Sequence, residues 1–560
     1  MEWKQSKLTE EYELFNKTGY SKFESVALCK AGIKTLEEAK EHLFGDELNN
    51  PGDIRNIETA AEIIWKHIHC GNKICIFGDF DADGITASAI MFLALKRLGG
   101  NVVVRLPDRI EEGYGISMKA IKEQIDLDTQ LFVTVDNGVR AIEETKYIKE
   151  QGKQIVVLDH HEPGDRLPDA DALIDLHIPN ESYPYVELTG SSLAWKVAHY
   201  MLEQMGEHEY AMSLVDLAAF GTIGDVASLK GENRTIVKRA LQRIKQPEYD
   251  RPGVKLLMPD IQSATAEDIA FRLAPCLNAP GRLDVNGATL PLIMLLESDL
   301  QTAFRLANRI VEVNERRKQI QSELYCGIRQ DADERINKGD KVLVLKAKTA
   351  PVGIVGLLAG NLKEEFSRPV IVFGPKADSD GVLHWVGSAR SIDSFHILNA
   401  LESCKDLLER FGGHRLAAGM TISADEDLFI EFRKRLNDCA AELSADDLTP
   451  TGEWDLELTE DEITDNLLAE SEALEPFGAG AQRPVIKVRV SLNEDSHRFM
   501  GDHDQHVKLY AKGFSMIGFN LAEKFIKLGM PEQIVAYGHL KANCYQGKIN
   551  KEIALLDICA

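Results

Sequence analysis

Three short apolar runs in this chain each end directly in a cluster of acidic residues or histidines. KICIF (73–77) leads into GDFDADG (78–84), LFVTV (131–135) into DNG (136–138), and IVVL (155–158) into DHHE (159–162). Such uninterrupted runs suit strands buried on both faces, and those strands belong to parallel sheets covered by helices. VVVRL (102–106) and ALI (172–174) read as two more strands. Ile54–Gly71 reads as an amphipathic helix, and ITASAIMFLALKRLGG (85–100) as a helix stopped by two glycines. The alternation predicts an α/β fold with a doubly wound parallel sheet. Ligands of such sheets bind in the crevice beyond the strand C-termini. The three clusters are therefore predicted to meet along one edge.

The remaining pattern predicts further units. Residues 1–50 read as short helices and turns, and 191–245 mainly as helices. Residues 301–335 contain one glycine and no proline, and read as one long polar-faced helix bridging two domains. A second, smaller α/β pattern follows, with strands at VLVL (342–345) and VIVF (370–373). From about 450 the chain turns to short β segments, VIKVRVSL (485–492), HVKLYAKGF (506–514) and QIVAYGHL (533–540), which predict a small β-barrel. The expected domains are 1–50, a catalytic unit at 51–300, the connecting helix at 301–338, the second α/β unit at 339–447 and the barrel at 448–560.

Composition narrows the function. A net charge of −25 argues against a protein that coats nucleic acid by charge alone. It leaves room for a nuclease, since a metal site needs carboxylates and a groove can be locally basic on an acidic body. The nine cysteines are widely spaced, odd in number and include no CxxC, which predicts a reducing, cytoplasmic setting without disulfides or a zinc ribbon. No run approaches the ~18 apolar residues of a membrane span, and the charged N-terminus lacks the apolar stretch of a signal peptide.

Asp79, Asp81 and Asp83 offer the oxygen ligands that hard divalent cations require. Adjacent histidines can divide labour, one binding metal while the other meets a substrate oxygen. Asp225, within FGTIGDVASL (220–229), is set among small and apolar residues and reads as buried and hydrogen-bonded or as a ligand. Each cluster also reads as ordinary turn chemistry when taken alone. Independent turns would not be expected to gather at one sheet edge, so a metal site is the better reading of all three. Carboxylates outnumber histidines and no thiolate is in place, which favours Mn²⁺ or Mg²⁺ over Zn²⁺.

The order GDFDADG, VDNG, LDHH, GTIGDVASL resembles the DHH phosphoesterase superfamily. FRLAPCLNAPGRLD (271–284), GSARS (387–391), FGGHRLAAGM (411–420) and LEPFGAGAQRPV (474–485) extend the resemblance to its RecJ branch. That branch consists of exonucleases specific for single-stranded DNA, working 5′→3′ in recombination and repair. The resemblance implies two divalent ions. Asp81 and Asp136 would hold one, with Asp79 as a candidate additional ligand. Asp83, Asp136, His160 and Asp225 would hold the other, with Asp136 bridging. It implies that His161 contacts the scissile phosphate, that Arg109, Arg282, Ser388 and Arg390 hold the 5′ phosphate, and that His414 approaches from the second domain. It also implies an oligonucleotide-binding barrel, a monomer, and a single-strand-binding protein and a RecQ-type helicase as partners. Tyr114 and Trp385 are candidates for stacking on bases. Two features depart from the family pattern. Phe77 stands where some members carry a histidine, which makes Asp79 the candidate replacement, and KTAPVGIVG (348–356) lacks a Trp-His pair. The alternative functions are a DHH phosphodiesterase acting on cyclic dinucleotides or short oligonucleotides, and a catalytically dead scaffold.

Overall fold

Five parallel strands in the order Asn101–Arg105, Lys73–Phe77, Thr129–Val135, Gln154–Leu158, Ala172–Ile174 form the sheet of the first domain. This is a computed structural model; it describes every residue except Met1, Leu8, Ile110, Tyr114, Ser379, 493–495, Asp502 and 546–547, together with the side chains of Cys544 and Tyr545. The chain steps outward from Lys73–Phe77 to Asn101–Arg105, then returns to the other side of its starting strand. The topological switch therefore lies between Phe77 and Val135. Register pairs Phe77 with Thr134 and Val135 with Leu158, so the three motif-bearing strands end nearly level. Ile74, Ile76, Leu131, Val133, Val135, Val156 and Leu158 are buried in one continuous core, as the unbroken apolar runs require.

The helix after the first strand begins at Ala82, three residues before the apolar pattern suggests, and ends at Arg97. Asp81 causes the early start, because its side chain caps the Asp83 and Gly84 amides. This helix packs against the Gly190–Glu203 and Val215–Gly224 helices. The connecting helix runs from Leu300 to Asn337 with Asp299 as its N-cap; at 1.5 Å per residue its length is about 57 Å. Its first half buries Ala307 and Ile310 in the first domain's core, and its second half buries Ile328 and Ala332 against the second domain. The second domain is a mixed five-stranded sheet, ordered Arg410–Gly413, Ala417–Ser423, Leu383–Arg390, Val370–Ala377, Leu343–Lys346.

The terminal region is a seven-stranded mixed sheet running from Leu456–Leu458 to His497–Met500. The predicted barrel is therefore a curled sheet: among the described residues its first and last strands share no ladder. Those edge strands have only three and four residues, which keeps the open edges short. Residues 1–50 hold the expected helices and one strand that sequence reading missed. Glu2–Gln5 pairs in parallel with Thr451–Trp454. Trp3 fixes it, stacking on Tyr537 at 4.2 Å and donating its indole N–H to Asp557 at 2.8 Å. A strand of mixed polarity whose partner is some 450 residues away has no local signature.

Arg234 locks these parts together. It is 3% exposed and donates to carbonyls of His42 at 2.8 Å, Leu474 at 2.6 Å and Pro476 at 2.6 Å. His42 lies in the same joint. Burial first, then the nearby Arg234, Lys238 and Lys230 cations, push its imidazole down to about 3. The unfolded chain protonates this residue near the ordinary 6.5. Between those values the unfolded state binds more protons, so stability is present above pH 6.5 and is lost as pH falls toward 3. We expect His42→Gln to lose less melting temperature than the wild type between pH 7 and pH 5 in thermal denaturation. Parallel losses in the two proteins would contradict this role.

Candidate active site

The loop after Lys73–Phe77 brings three carboxylates to the switch point. Asp79 is 3% exposed, and its Oδ1 is buried without a hydrogen-bond partner among the described residues. Asp81 serves as the helix cap, and the Ala82 amide is held by Asn278 Oδ1 at 2.8 Å. Asp83 accepts the Gly190 and Ser191 amides, at 2.7 and 3.0 Å, from the start of the Gly190–Glu203 helix. A helix N-terminus is a favourable place for a carboxylate. The approach is close: a side chain at Gly190 would collide with Asp136, and one at Gly221 with Asp83.

Asp136 leaves the next strand in the left-handed region, with φ 61°, a conformation Asp tolerates better than most residues. Its Oδ1 lies 3.0 Å from His160 Nε2. Asn137 donates to the Phe77 and Val135 carbonyls at 3.1 and 2.9 Å, tying the two strand ends together. Asp159 is fully buried. It accepts the His160 amide at 2.8 Å and the His161 amide at 3.2 Å, and pairs with His161 Nδ1 at 2.8 Å. Asp225 caps the end of Val215–Gly224 and is exposed, so of the two readings its apolar neighbours allow, burial does not hold, while its carboxylate does lie beside Asp83 and His160.

Three sets of donor atoms lie within 4.8 Å of one another: Asp79, Asp81 and Asp136; Asp83, His160 and Asp225; Asp136, His160 and His161. Asp136 belongs to two sets that share no other carboxylate. Electrostatics suit a cation. Burial first, then neighbouring carboxylates, raise Asp79, Asp81 and Asp136 above the ordinary range. Desolvation in the cleft, then Asp83 and Asp81, push Asp225 up to about 8. Burial holds the His160 imidazole down, so it offers a lone pair. His161 is the opposite case. Burial opposes its charge, but the Asp159 hydrogen bond and nearby carboxylates push it up to about 9. The orphaned Asp79 oxygen and the crowded carboxylates fit a pair of oxygen-seeking divalent ions.

Arginines border the carboxylates. Arg109 lies over the Phe80 ring at 4.5 Å and faces Asp81 and Asp79. Arg282 donates to the Gly353 carbonyl at 3.1 Å, and Arg390 to Ser388 Oγ at 3.1 Å. Burial lowers all three, and mutual repulsion adds to it for Arg282, which falls to about 9 with Arg109, Arg317 and Arg390 nearby. Among the described residues none of the three forms an ion pair with a carboxylate. The KTAPVGIVG segment builds this contact: Gly353 presses so closely on Arg282 that a side chain would strike the Arg282 backbone. Phe77, at the position of the other departure, is buried and packs on Phe132 at 5.9 Å.

His414 is exposed on the second domain and lines, with Asp159, His161 and Arg140, a cleft of about 620 Å³. Trp385 is not a stacking platform; it is 9% exposed in the second domain's core. Tyr114 lies outside the described residues. Sequence reading left Asp159, Asn278 and Arg317 without roles. The first two sit inside motifs already singled out, so motif membership was their signal; Arg317 is one cation among many on a long polar helix and had none.

Comparison with known proteins accords with this geometry. Residues 73–222 match the DHH family N-terminal domain, 339–442 the DHHA1 domain and 454–557 the RecJ OB domain. The single-stranded-DNA-specific exonuclease RecJ of Bacillus subtilis is 34% identical over 541 residues, covering 95% of this chain and 67% of that protein. The protein of the same name from Dickeya dadantii is 32% identical, covering 86% and 85%. The crystal structure of RecJ in complex with Mn²⁺ from Thermus thermophilus superposes with a TM-score of 0.82 at 27% identity, covering 100% of this chain and 79% of that one. With three consecutive domains matched and relatives similar along nearly its whole length, the chain belongs to the RecJ family of DHH proteins.

Proposed function

We propose that this chain is a metal-dependent exonuclease specific for single-stranded DNA that releases 5′-mononucleotides in the 5′→3′ direction. The observation that carries this reading is the junction of two opposite charge clusters. A carboxylate and histidine edge suited to two divalent ions abuts arginines that, among the described residues, close no ion pair with a carboxylate. In this reading Asp79, Asp81 and Asp136 would hold one ion, Asp83, Asp136, His160 and Asp225 would hold the other, and Asp79 would take the place left by Phe77. Two bound Mn²⁺ or Mg²⁺ ions would supply Lewis acidity and an activated water.

The chain's own groups do the rest. Asp159 holds His161 charged near neutrality, so the remaining ring nitrogen would donate to an oxygen of the scissile phosphate as negative charge builds. Arg109, Arg282 and Arg390, with Ser388, would grip the terminal phosphate, and the guanidinium fork favours two-point contact. Holding the end beside the reacting phosphate gives both the polarity and the single-nucleotide step. His414 would close on the phosphate from the second domain. The strand would continue toward the terminal sheet, whose matched family is an OB domain. A role in recombination and repair, a single-strand-binding protein and a RecQ-type helicase as partners, action as a monomer and a cytoplasmic location complete the reading. They rest on family resemblance.

The primary test is digestion of 5′-labelled single strands of graded length, with matched duplexes and blocked ends. Release of 5′-mononucleotides from long single strands is expected, and activity confined to dinucleotides would refute the exonuclease reading. Asp136→Ala should fold normally by circular dichroism yet lose about three orders of magnitude in kcat. Arg390→Ala should weaken binding of 5′-phosphorylated strands by about 10- to 100-fold, the scale of a lost charge-assisted bond, and should barely change binding of 5′-hydroxyl strands. Asp159→Asn should lower kcat by about 10- to 100-fold. It should also move the alkaline limb of the rate profile to lower pH, because His161 loses the partner that keeps its proton.

A further inference from the structure

A second group of metal-ligating side chains lies at the far end of the helix that backs the active site. His199 and Glu203 are one turn apart on Gly190–Glu203, and His208 opens the helix that follows. One donor atom from each lies within 4.8 Å of the other two. His199 Nε2 is 3.1 Å from Glu203 Oε1, and His208 Nδ1 meets the same oxygen.

The surrounding backbone holds this arrangement in place. Gly206 takes the left-handed conformation, φ 73°, and the Gly206 and Glu207 amides return to the Glu203 and Leu202 carbonyls at 3.0 Å each. This cap turns the chain so that the exposed His208 lies beside Glu203 and His199. Glu207 is drawn the other way by a two-point bond to Arg97 at 3.0 Å. His199 is 8% exposed and packs beside Trp195 with the rings tilted and their centroids 5.3 Å apart. The Trp195 indole N–H is anchored on the Ala211 carbonyl at 2.9 Å, which ties the two helices together. Burial also pushes the His199 imidazole below its ordinary range.

We propose that His199, Glu203 and His208 form a second metal site, separate from the active site, for a borderline divalent cation such as Zn²⁺. Two imidazoles and one carboxylate match the preference of Zn²⁺, Ni²⁺ and Co²⁺, whereas the oxygen-rich active site matches harder ions. Three protein ligands leave one position for water. The opposite end of the same helix supplies the Gly190 and Ser191 amides that hold Asp83. A helix of 14 residues spans about 21 Å, so the two sites are distinct. The second would brace the helix that positions Asp83, and nothing about it depends on the nuclease reading.

The test uses the full chain in excess Mg²⁺, which competes for the harder site. Equilibrium dialysis against Zn²⁺ should give one more bound equivalent for wild type than for His208→Ala; His208 is exposed, so that variant should fold. Ni²⁺ offers an optical readout, because Trp195 neighbours His199 and the Trp65 indole N–H rests on Gln204 at 2.9 Å. Stoichiometric Ni²⁺ should quench tryptophan emission in the wild type and in Asp136→Ala, and should not quench it in His208→Ala or Glu203→Gln. Equal Zn²⁺ stoichiometry in wild type and His208→Ala overturns the site, as does quenching that survives both ligand substitutions.

Discussion

Repulsion among buried carboxylates at the sheet's switch point is the constraint around which the first domain is arranged. Asp136 lies within metal-binding reach of Asp79 and Asp81, Asp83 belongs to a second set with His160 and Asp225, and burial of Asp79, Asp83 and Asp136 removes water that would screen them. Burial first, then mutual repulsion, raises the proton affinities of Asp79, Asp81 and Asp136. The fold offsets part of it with dipoles. Two helix-terminal amides point at Asp83, and Asp81 is neutralised in part by capping the helix it begins. Bound cations would remove the remainder. The glycines beside the cluster follow from the same crowding: Gly190 and Gly221 are the only size that lets two helices approach so near to Asp136 and Asp83.

The arginines answer that cluster from across the cleft without cancelling it. Arg109 feels Asp79 and Asp81, yet no arginine of the group closes an ion pair with them among the described residues. Two opposite charge densities set side by side without an ion pair among the described residues suit a phosphodiester chain and its counter-cations. A net charge of −25 is compatible with this, because screening confines the chain's overall field while the cleft keeps its local sign.

The first sheet was readable because strand burial and ligand placement point to the same edge. An uninterrupted apolar run ending in Asp or His-His encodes both the strand and the position of its functional group. The metal-ligand candidates were visible for that reason, and the long helix for its unbroken polar face. Asp159 was overlooked because its work lies in orientation: it fixes His161 through one ring nitrogen and both histidine amides, and no spacing rule reveals that. Trp385 misled because an aromatic in a β run reads the same whether it faces core or cleft. The Glu2–Gln5 strand and the Arg234 joint were hidden because both depend on partners more than 190 residues away.

That joint shows why the second domain and the terminal region cannot be treated as loose appendages. Arg234 projects from the catalytic domain and ends on carbonyls of the N-terminal helices and of the segment leading into the terminal sheet. A buried guanidinium with carbonyl partners must keep them all, since each lost bond leaves a desolvated charge less satisfied. The second domain is held by the same kind of contact, with Arg282 donating to Gly353 and Gly353 seated against the Arg282 backbone. Arg282 also stands among the arginines beside the carboxylates. One side chain thus sets the spacing between domains and the charge of the cleft between them, so a shift of the second domain would alter the electrostatics of the site directly.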